Sequence, residues 1–372
     1  EGSNYQDRIY INNGKGDFEK QNDLLPKMET STSCVTTIDF DNDGDLDLFV
    51  GGFAKKNIYP TSEKSWLLEN SNGKFIDRSE LLPNNGLLGI VNDAITISNN
   101  ELIIVGEWMN IIHLKKDKTN KFIKAKNNGL DKSGGWWNCI DSHDFDGDGD
   151  LDLIVGNRGL NTMFKPVKNH PAKIYYGDFD DNKDLDAIPC YYNETDQVYY
   201  PKHSLDQLFM QMKGVRKKFK NYESYSRANL DDIIANQTNY LTAHYFESAY
   251  VENLGNGKWK MSKLPIEAQF SYVQDILIKD INMDGFLDIV VVGNNFGVDV
   301  EAGRSDASNG LVLINNKKGK FAPLTKKESG FSTQNLDSRK IKAIDESLII
   351  VTNNSGPLQF FELKTPSIQQ QK

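Results

Sequence analysis

The 372-residue sequence has little of what marks the more specialised protein classes. It holds three cysteines, Cys34, Cys139 and Cys190, spaced far apart. They form no C-x-x-C pair and no disulfide framework, and a large exported β fold needs none. No run of eighteen apolar residues occurs, which excludes a transmembrane helix. No secretory leader is legible. The chain opens on Glu1-Gly2-Ser3 and reaches a strand at Arg8–Asn12, which reads as a mature or fragmented chain. The five histidines, His113, His143, His170, His203 and His244, show no metal-ligand spacing. G-x-S-x-G, H-E-x-x-H and phosphate-loop patterns are missing. The densest basic run, Lys213–Lys220, reads as helical, and the net charge is −9. Nothing here points to nucleic acid.

Aspartate, by contrast, is plentiful and clustered. Two units alternate along the chain, and such repetition governs the fold. The first is an Asp loop running into an apolar strand. It occurs as DFDNDGDLDLFVGG from Asp39 and DFDGDGDLDLIVGN from Asp144. It returns as DINMDGFLDIVVVGN from Asp280 and, more weakly, as DFDDNKDLDAIP from Asp178. The second unit is a hairpin with an Asn/Gly turn. It occurs as RIYINNGKGDFEK from Arg8, SWLLENSNGKFID from Ser65, SAYVENLGNGKWK from Ser248 and NGLVLINNKKGKFAP from Asn309. A degenerate copy starts at Ile111. Asn-Gly turns between β-rich runs are a strong hairpin signal.

Two strand pairs, Ala94–Glu107 and Ile341–Asn353, carry a tight turn where the Asp loop would sit. Repeat starts fall at intervals of roughly fifty to sixty residues, near the length of a four-stranded propeller blade. The exception is the gap between Asp144 and Asp280. It holds the Asp178 loop and a helical insertion at about residues 199–236, where Leu205, Leu208, Phe209, Met212, Val215 and Phe219 recur at helical spacing. The fold class expected is all-β: one β-propeller domain over 1–372, of about six to eight four-stranded blades, seven fitting best, with the first blade incomplete.

The loop spacing carries the chemistry. Asp39, Asp41, Asp43, Asp45 and Asp47 stand at positions one, three, five, seven and nine, with Gly44 at six. Calcium takes six to eight hard oxygen ligands in a flexible shell. Side chains at one, three, five and nine and the backbone carbonyl at seven supply such a set. Position twelve is Val50 rather than Glu, and a strand follows, so this is not an EF-hand. Magnesium keeps its waters, and zinc would ask for His or Cys. Asp144, Asp146, Asp148, Asp150 and Asp152 repeat the pattern in full. Asp280, Asn282, Asp284, Phe286 and Asp288 keep it, since any residue offers a carbonyl at seven. In Asp178, Asp180, Asn182, Asp184 and Asp186, Lys183 replaces the glycine and its ammonium competes with a cation.

These residues resemble the FG-GAP/VCBS repeat of integrin-α-type propellers. The sequence is similar to the C-terminal propeller of long Bacteroidota proteins that also carry an ASPIC/UnbV domain. The likeness rests on YQDRIYINNGKGDF from Tyr5, VGEWMN from Val105, GGWWN from Gly134, VGNRGLNT from Val155, LPIEAQ from Leu264 and GRSDASNGL from Gly303. It implies export, a place at the outer surface of a Gram-negative cell, and partners among TonB-dependent SusC/SusD-like uptake systems. It implies no established catalytic activity.

Three functions remain open on the residues: a non-catalytic module that binds a protein or glycan, a propeller-type polysaccharide lyase or hydrolase, and a structural spacer. The aromatic pairs Trp136-Trp137, Tyr175-Tyr176, Tyr191-Tyr192 and Tyr199-Tyr200 put one ring of each pair on either sheet face. They serve inter-blade packing or line a sugar groove.

Overall fold

Alternating apolar residues and Asn/Gly turns fold the hairpin units into antiparallel strands, and each Asp loop joins a first strand to a second. The computed structural model describes residues 5–167, 169–235, 239–298 and 303–363. The chain divides into two compact units. The first comprises Glu1–Lys126, Asp131–Gly135 and Met163–Tyr245; the second comprises Asn127–Leu130, Trp136–Thr162 and Phe246–Lys372.

In the first unit, β1 (Ile9–Asn12) and β2 (Phe18–Gln21) form a hairpin with no further strand paired to it among the described residues. A four-stranded meander follows: β3 (Thr32–Ile38), β4 (Asp47–Gly52), β5 (Trp66–Ser71) and β6 (Lys74–Asp77). A second joins β7 (Ile90–Ser98), β8 (Glu101–Met109), β9 (Ile112–Lys116) and β10 (Phe122–Lys124). Ile38, Phe49, Leu67, Leu102, Leu114 and Phe122 bury a common core between these two sheets.

In the second unit, β11 (Gly135–His143) and β12 (Asp152–Asn157) pair across the Asp144 loop. The same sheet is completed by β17 (Ala249–Asn253) and β18 (Trp259–Lys263). Two further sheets are β19 (Val273–Lys279), β20 (Asp288–Gly293), β21 (Leu311–Asn315) and β22 (Phe321–Leu324), then β23 (Ser338–Ala343), β24 (Leu348–Asn353) and β25 (Gln359–Glu362). The last has three strands. The fold is all-β and of the propeller class, built from blade meanders, and the opening hairpin is the incomplete blade expected from sequence. The two turns expected to replace Asp loops are present, between β7 and β8 and between β23 and β24.

The segment between β12 and β17 is larger than the helical stretch read from sequence, and it carries a sheet of its own. That sheet comprises β13 (Ala172–Gly177), β14 (Asp186–Asn193), β15 (Val198–Pro201) and β16 (Tyr240–Ala243). Its order is β15-β14-β13-β16, so the fourth strand returns beside the first instead of continuing a meander. Short helices α1 (Leu205–Gln211), α2 (Val215–Lys218) and α3 (Tyr222–Tyr225) lead to a single helical turn at Leu230–Asp232. Ser204 and Asn221 close capping boxes on α1 and α3. Of the helical stripe expected from sequence, Leu205, Leu208, Met212, Val215 and Phe219 pack on Tyr175, Ile188 and Cys190 of the nested sheet, whereas Phe209 stays outside this core, its ring against Lys213 and Arg216.

A further repeat is visible only in the backbone register. Five first strands, β3, β7, β11, β19 and β23, carry a β-bulge near their start: Ser33, Asn92, Asn138, Gln274 and Arg339 are the extra residues. All five are polar. Ser33 Oγ donates to Val91 O (2.7 Å) and Asn138 Nδ2 to Val273 O (3.2 Å), so these two bulged side chains tie one blade to the next, whereas Gln274 Nε2 donates to Asn294 O (3.1 Å) of its own blade. The bulge breaks the ladder and frees the side chain to do this. β13 pairs with β14 without such a shift, a second departure of the nested sheet from the blades.

Candidate metal centres

Each Asp loop turns through two left-handed residues, not one. Position six is left-handed at Gly44 (φ 95°), Gly149 (93°), Gly285 (87°) and Lys183 (72°). Position four is left-handed as well, at Asn42 (64°), Gly147 (81°), Asp181 (60°) and Met283 (61°). Asn, Asp and Gly suit this conformation; Lys183 and Met283 pay roughly 1–2 kcal/mol each for it.

The turns are held by side-chain oxygens, carboxylate except at Asn182 and Asn282, accepting backbone N–H groups. The oxygen at position five takes the N–H of position seven in all four loops. The donors are Asp45 (3.0 Å), Asp150 (2.9 Å), Asp184 (2.6 Å) and Phe286 (3.0 Å). Oδ2 of position one takes the N–H of position six from Gly149 (3.0 Å), Lys183 (3.0 Å) and Gly285 (2.9 Å). Oδ1 of position three takes the N–H of position five from Asp43, Asp148 and Asp284. Three loops gather carboxylate oxygens within 4.8 Å of one another: Asp39, Asp41 and Asp43; Asp144, Asp146 and Asp152; Asp178, Asp180 and Asp186. The Asp280 loop makes the same turn with Asn282 at position three, one carboxylate fewer.

Three loop oxygens, Asp39 Oδ1, Asp45 Oδ1 and Asp180 Oδ1, are buried with no hydrogen-bond partner. An ionised oxygen in that state is costly unless a cation or proton meets it. Desolvation, and after it the like charges of neighbouring aspartates, pushes the Asp45 and Asp146 carboxyls up from their ordinary range. All-oxygen donors at this spacing suit a hard cation, and no His or Cys joins these clusters.

Position nine has a second duty that its spacing does not announce. Asp47, Asp152, Asp186 and Asp288 are buried. Each accepts the N–H of position two: Phe40 (2.9 Å), Phe145 (3.2 Å), Phe179 (2.9 Å) and Ile281 (2.9 Å). In the three blade loops the other oxygen reaches the end of the third strand, to the N–H of Asn70 (2.8 Å), Asn253 (2.7 Å) and Asn315 (2.9 Å). Tyr250 Oη also donates to Asp152, at 2.7 Å. Burial pushes Asp47 and Asp152 up to about 6 despite these donors. The hairpin asparagines were the missed partners. Their signal was the Asn at or next to the end of each third strand, in LLEN, YVEN and LIN. Asn315 Nδ2 reaches farther, to Phe145 O at 2.8 Å, and links the Asp280 blade to the Asp144 loop.

The Asp178 loop is buttressed differently. Helix α1 stands beside β14, where Gln211 Oε1 accepts the Ala187 N–H (2.9 Å). Lys183 is exposed, and its backbone N–H donates to Asp178 Oδ2. His143 lies beside the Asp144 loop, its Nδ1 3.1 Å from Asp144 O.

Within each meander the Asp loops and the third-to-fourth-strand turns share one end of the sheet. The second-to-third-strand connections lie at the other end and vary widely in length, from the two residues between β8 and β9 to long segments. The connection between β4 and β5, residues 53–65, is one of the long ones.

Residues 2–50, which cover the opening hairpin and the Asp39 loop, match the family model of the FG-GAP-like repeat. No curated protein matches the chain. Among solved structures, Sqt1 of Chaetomium thermophilum is 9% identical over 93% of this chain and 86% of its own, with a TM-score of 0.32. The Dos1 propeller is 11% identical over 90% and 78%, with a TM-score of 0.28. The V. cholerae biofilm matrix protein Bap1 is 9% identical over 96% and 73%, with a TM-score of 0.30. Likenesses this distant add nothing to the reading of the site. The FG-GAP-like unit matched at the start of the chain is the same hairpin and Asp loop that recur through it, on an all-β fold of the propeller class.

Proposed function

We propose that this chain is a calcium-stapled, non-catalytic binding module. It is exported to the cell surface and docks on outer-membrane proteins of the SusC/SusD-like kind, or on a glycan. The observation that carries the reading is the split between the two ends of the blades. One end is a repeated cation turn with buried, unpartnered carboxylate oxygens at Asp39, Asp45 and Asp180. The other end carries the variable connections, where binding residues concentrate on a rigid scaffold. Calcium is the cation because the donors are all oxygen and flexibly placed. Binding to the folded loops alone stabilises the fold by mass action.

Chelation is expected to lower the melting temperature, and Asp146→Ala to reproduce part of the loss. An unchanged curve in both would sink the calcium assignment. Isolation from native membrane is expected to bring outer-membrane proteins with the chain. Recovery alone, with no glycan retained on affinity gels, would leave a spacer.

A further inference from the structure

The nested sheet holds a cation that the metal turns do not explain. Lys173 on β13 stands across from Cys190 on β14 and Thr242 on β16, so it shares a sheet face with Tyr175, Tyr192, Tyr199 and Tyr240. Its Nζ lies 4.4 Å from the Tyr199 ring centroid, 4.5 Å from Tyr240 and 5.5 Å from Tyr175. It donates to Tyr175 Oη at 3.0 Å. Tyr192 packs on Tyr199 with centroids 5.3 Å apart, and His170 stacks on Tyr192 at 3.8 Å and 7°. Among the described residues no carboxylate lies within ion-pair distance of Lys173. The half-buried Lys64 and Lys115 do pair, with Asp77 and Glu101. In a chain of net charge −9, an ammonium framed by rings and left without an acid stands out. Burial holds the Lys173 amine below its ordinary range, as expected for a cation lacking a counter-charge.

We propose that Lys173, Tyr192, Tyr199 and Tyr240 form a binding site for an acidic sugar. The ammonium takes the carboxylate and the tyrosine rings take the C–H faces of the pyranose. A single cation matches a single carboxylate; a phosphate would ask for a fork of donors. Rings that keep a polar edge beside an apolar face suit a sugar better than a lipid or an aliphatic chain. Tyr240 is 45% exposed and Lys173, Tyr192 and Tyr199 are half-buried, whereas Tyr175 and Cys190 on the same face lie under the helices, so a ligand meets the cage from its β16 edge. The inference rests on the binding reading above, but not on its calcium.

The test is calorimetric titration at fixed calcium with a galacturonic acid trisaccharide, and with maltotriose as the neutral control. The acidic trimer should bind, more weakly as salt rises, and maltotriose should not. Lys173→Met and Tyr240→Ala should each weaken binding about ten-fold or more while the calcium-dependent melting shift stays intact. Tyr240 is the second variant because its exposed ring can be trimmed even if Lys173→Met does not fold. The site is overturned if the wild-type chain ignores the acidic trimer, if maltotriose binds equally, or if the folded variants bind as wild type. A missing calcium shift with binding retained would overturn the staple and leave this site standing.

Discussion

The Asp144 and Asp178 loops share one spacing and sit in different sheets. In the first, the ninth-position carboxylate gathers Phe145 N, Asn253 N and Tyr250 Oη, so one buried group ties the loop to the third strand. In the second, Asp186 accepts from Phe179 N, while helix α1 occupies the flank and Gln211 serves the neighbouring N–H. Both make the same turn and bring three carboxylates together. The lesson is that the cation turn is local and portable, whereas its attachment to the sheet depends on what the third strand offers.

If the turns are cation sites, removing calcium is the largest perturbation. Several sites release binding energy together, and a drop in melting temperature on the order of 10 °C is expected by thermal scanning in chelator. Asp152→Ala follows, because it strands two backbone N–H groups and a tyrosine hydroxyl. A loss of about 3 kcal/mol in denaturant titration is expected, with about half of that for Asp186→Ala. Equal losses would erase the contrast between the two attachments.

The blade β7–β10 lacks a metal turn and uses a charged cross-strand cluster instead. Glu101 meets His113 (2.7 Å) and Lys115 (3.0 Å). Hydrogen bonding to His113 draws the Glu101 carboxyl down to about 2. A depressed acid contributes stability that is present above about pH 4.5 and lost as pH falls through 2. Acid titration of folding should show a loss on the order of 2 kcal/mol over that window, and Glu101→Gln should flatten it. The smallest effect belongs to Lys183→Gly, which relieves a left-handed lysine. It should stabilise by about 1 kcal/mol in denaturant titration; destabilisation would mean that the Lys183 side chain supports the turn.

Much of this was readable from residues. The Asp spacing marked the four turns, Asn-Gly marked the hairpins, and the two loopless strand pairs were visible as tight turns. The nested sheet was not, because β16 has four residues, Tyr240–Ala243, and earns its place only by pairing with β13 across the helices. No local pattern encodes such a return. The left-handed fourth position was hidden by Met283, which shares its conformation with Asn42 and Gly147 but not their chemistry. The polar bulge residues, from Ser33 to Arg339, carry no shared sequence signature and become a repeat only in the strand register.

The central claim is that these turns are calcium sites that staple the blades. Calorimetric titration of calcium into chelator-stripped protein, with melting followed in parallel, tests it most directly. The account predicts binding heat, a rise in melting temperature, and one fewer ion bound by Asp146→Ala. No heat and an unmoved melting curve in the wild-type chain would contradict it.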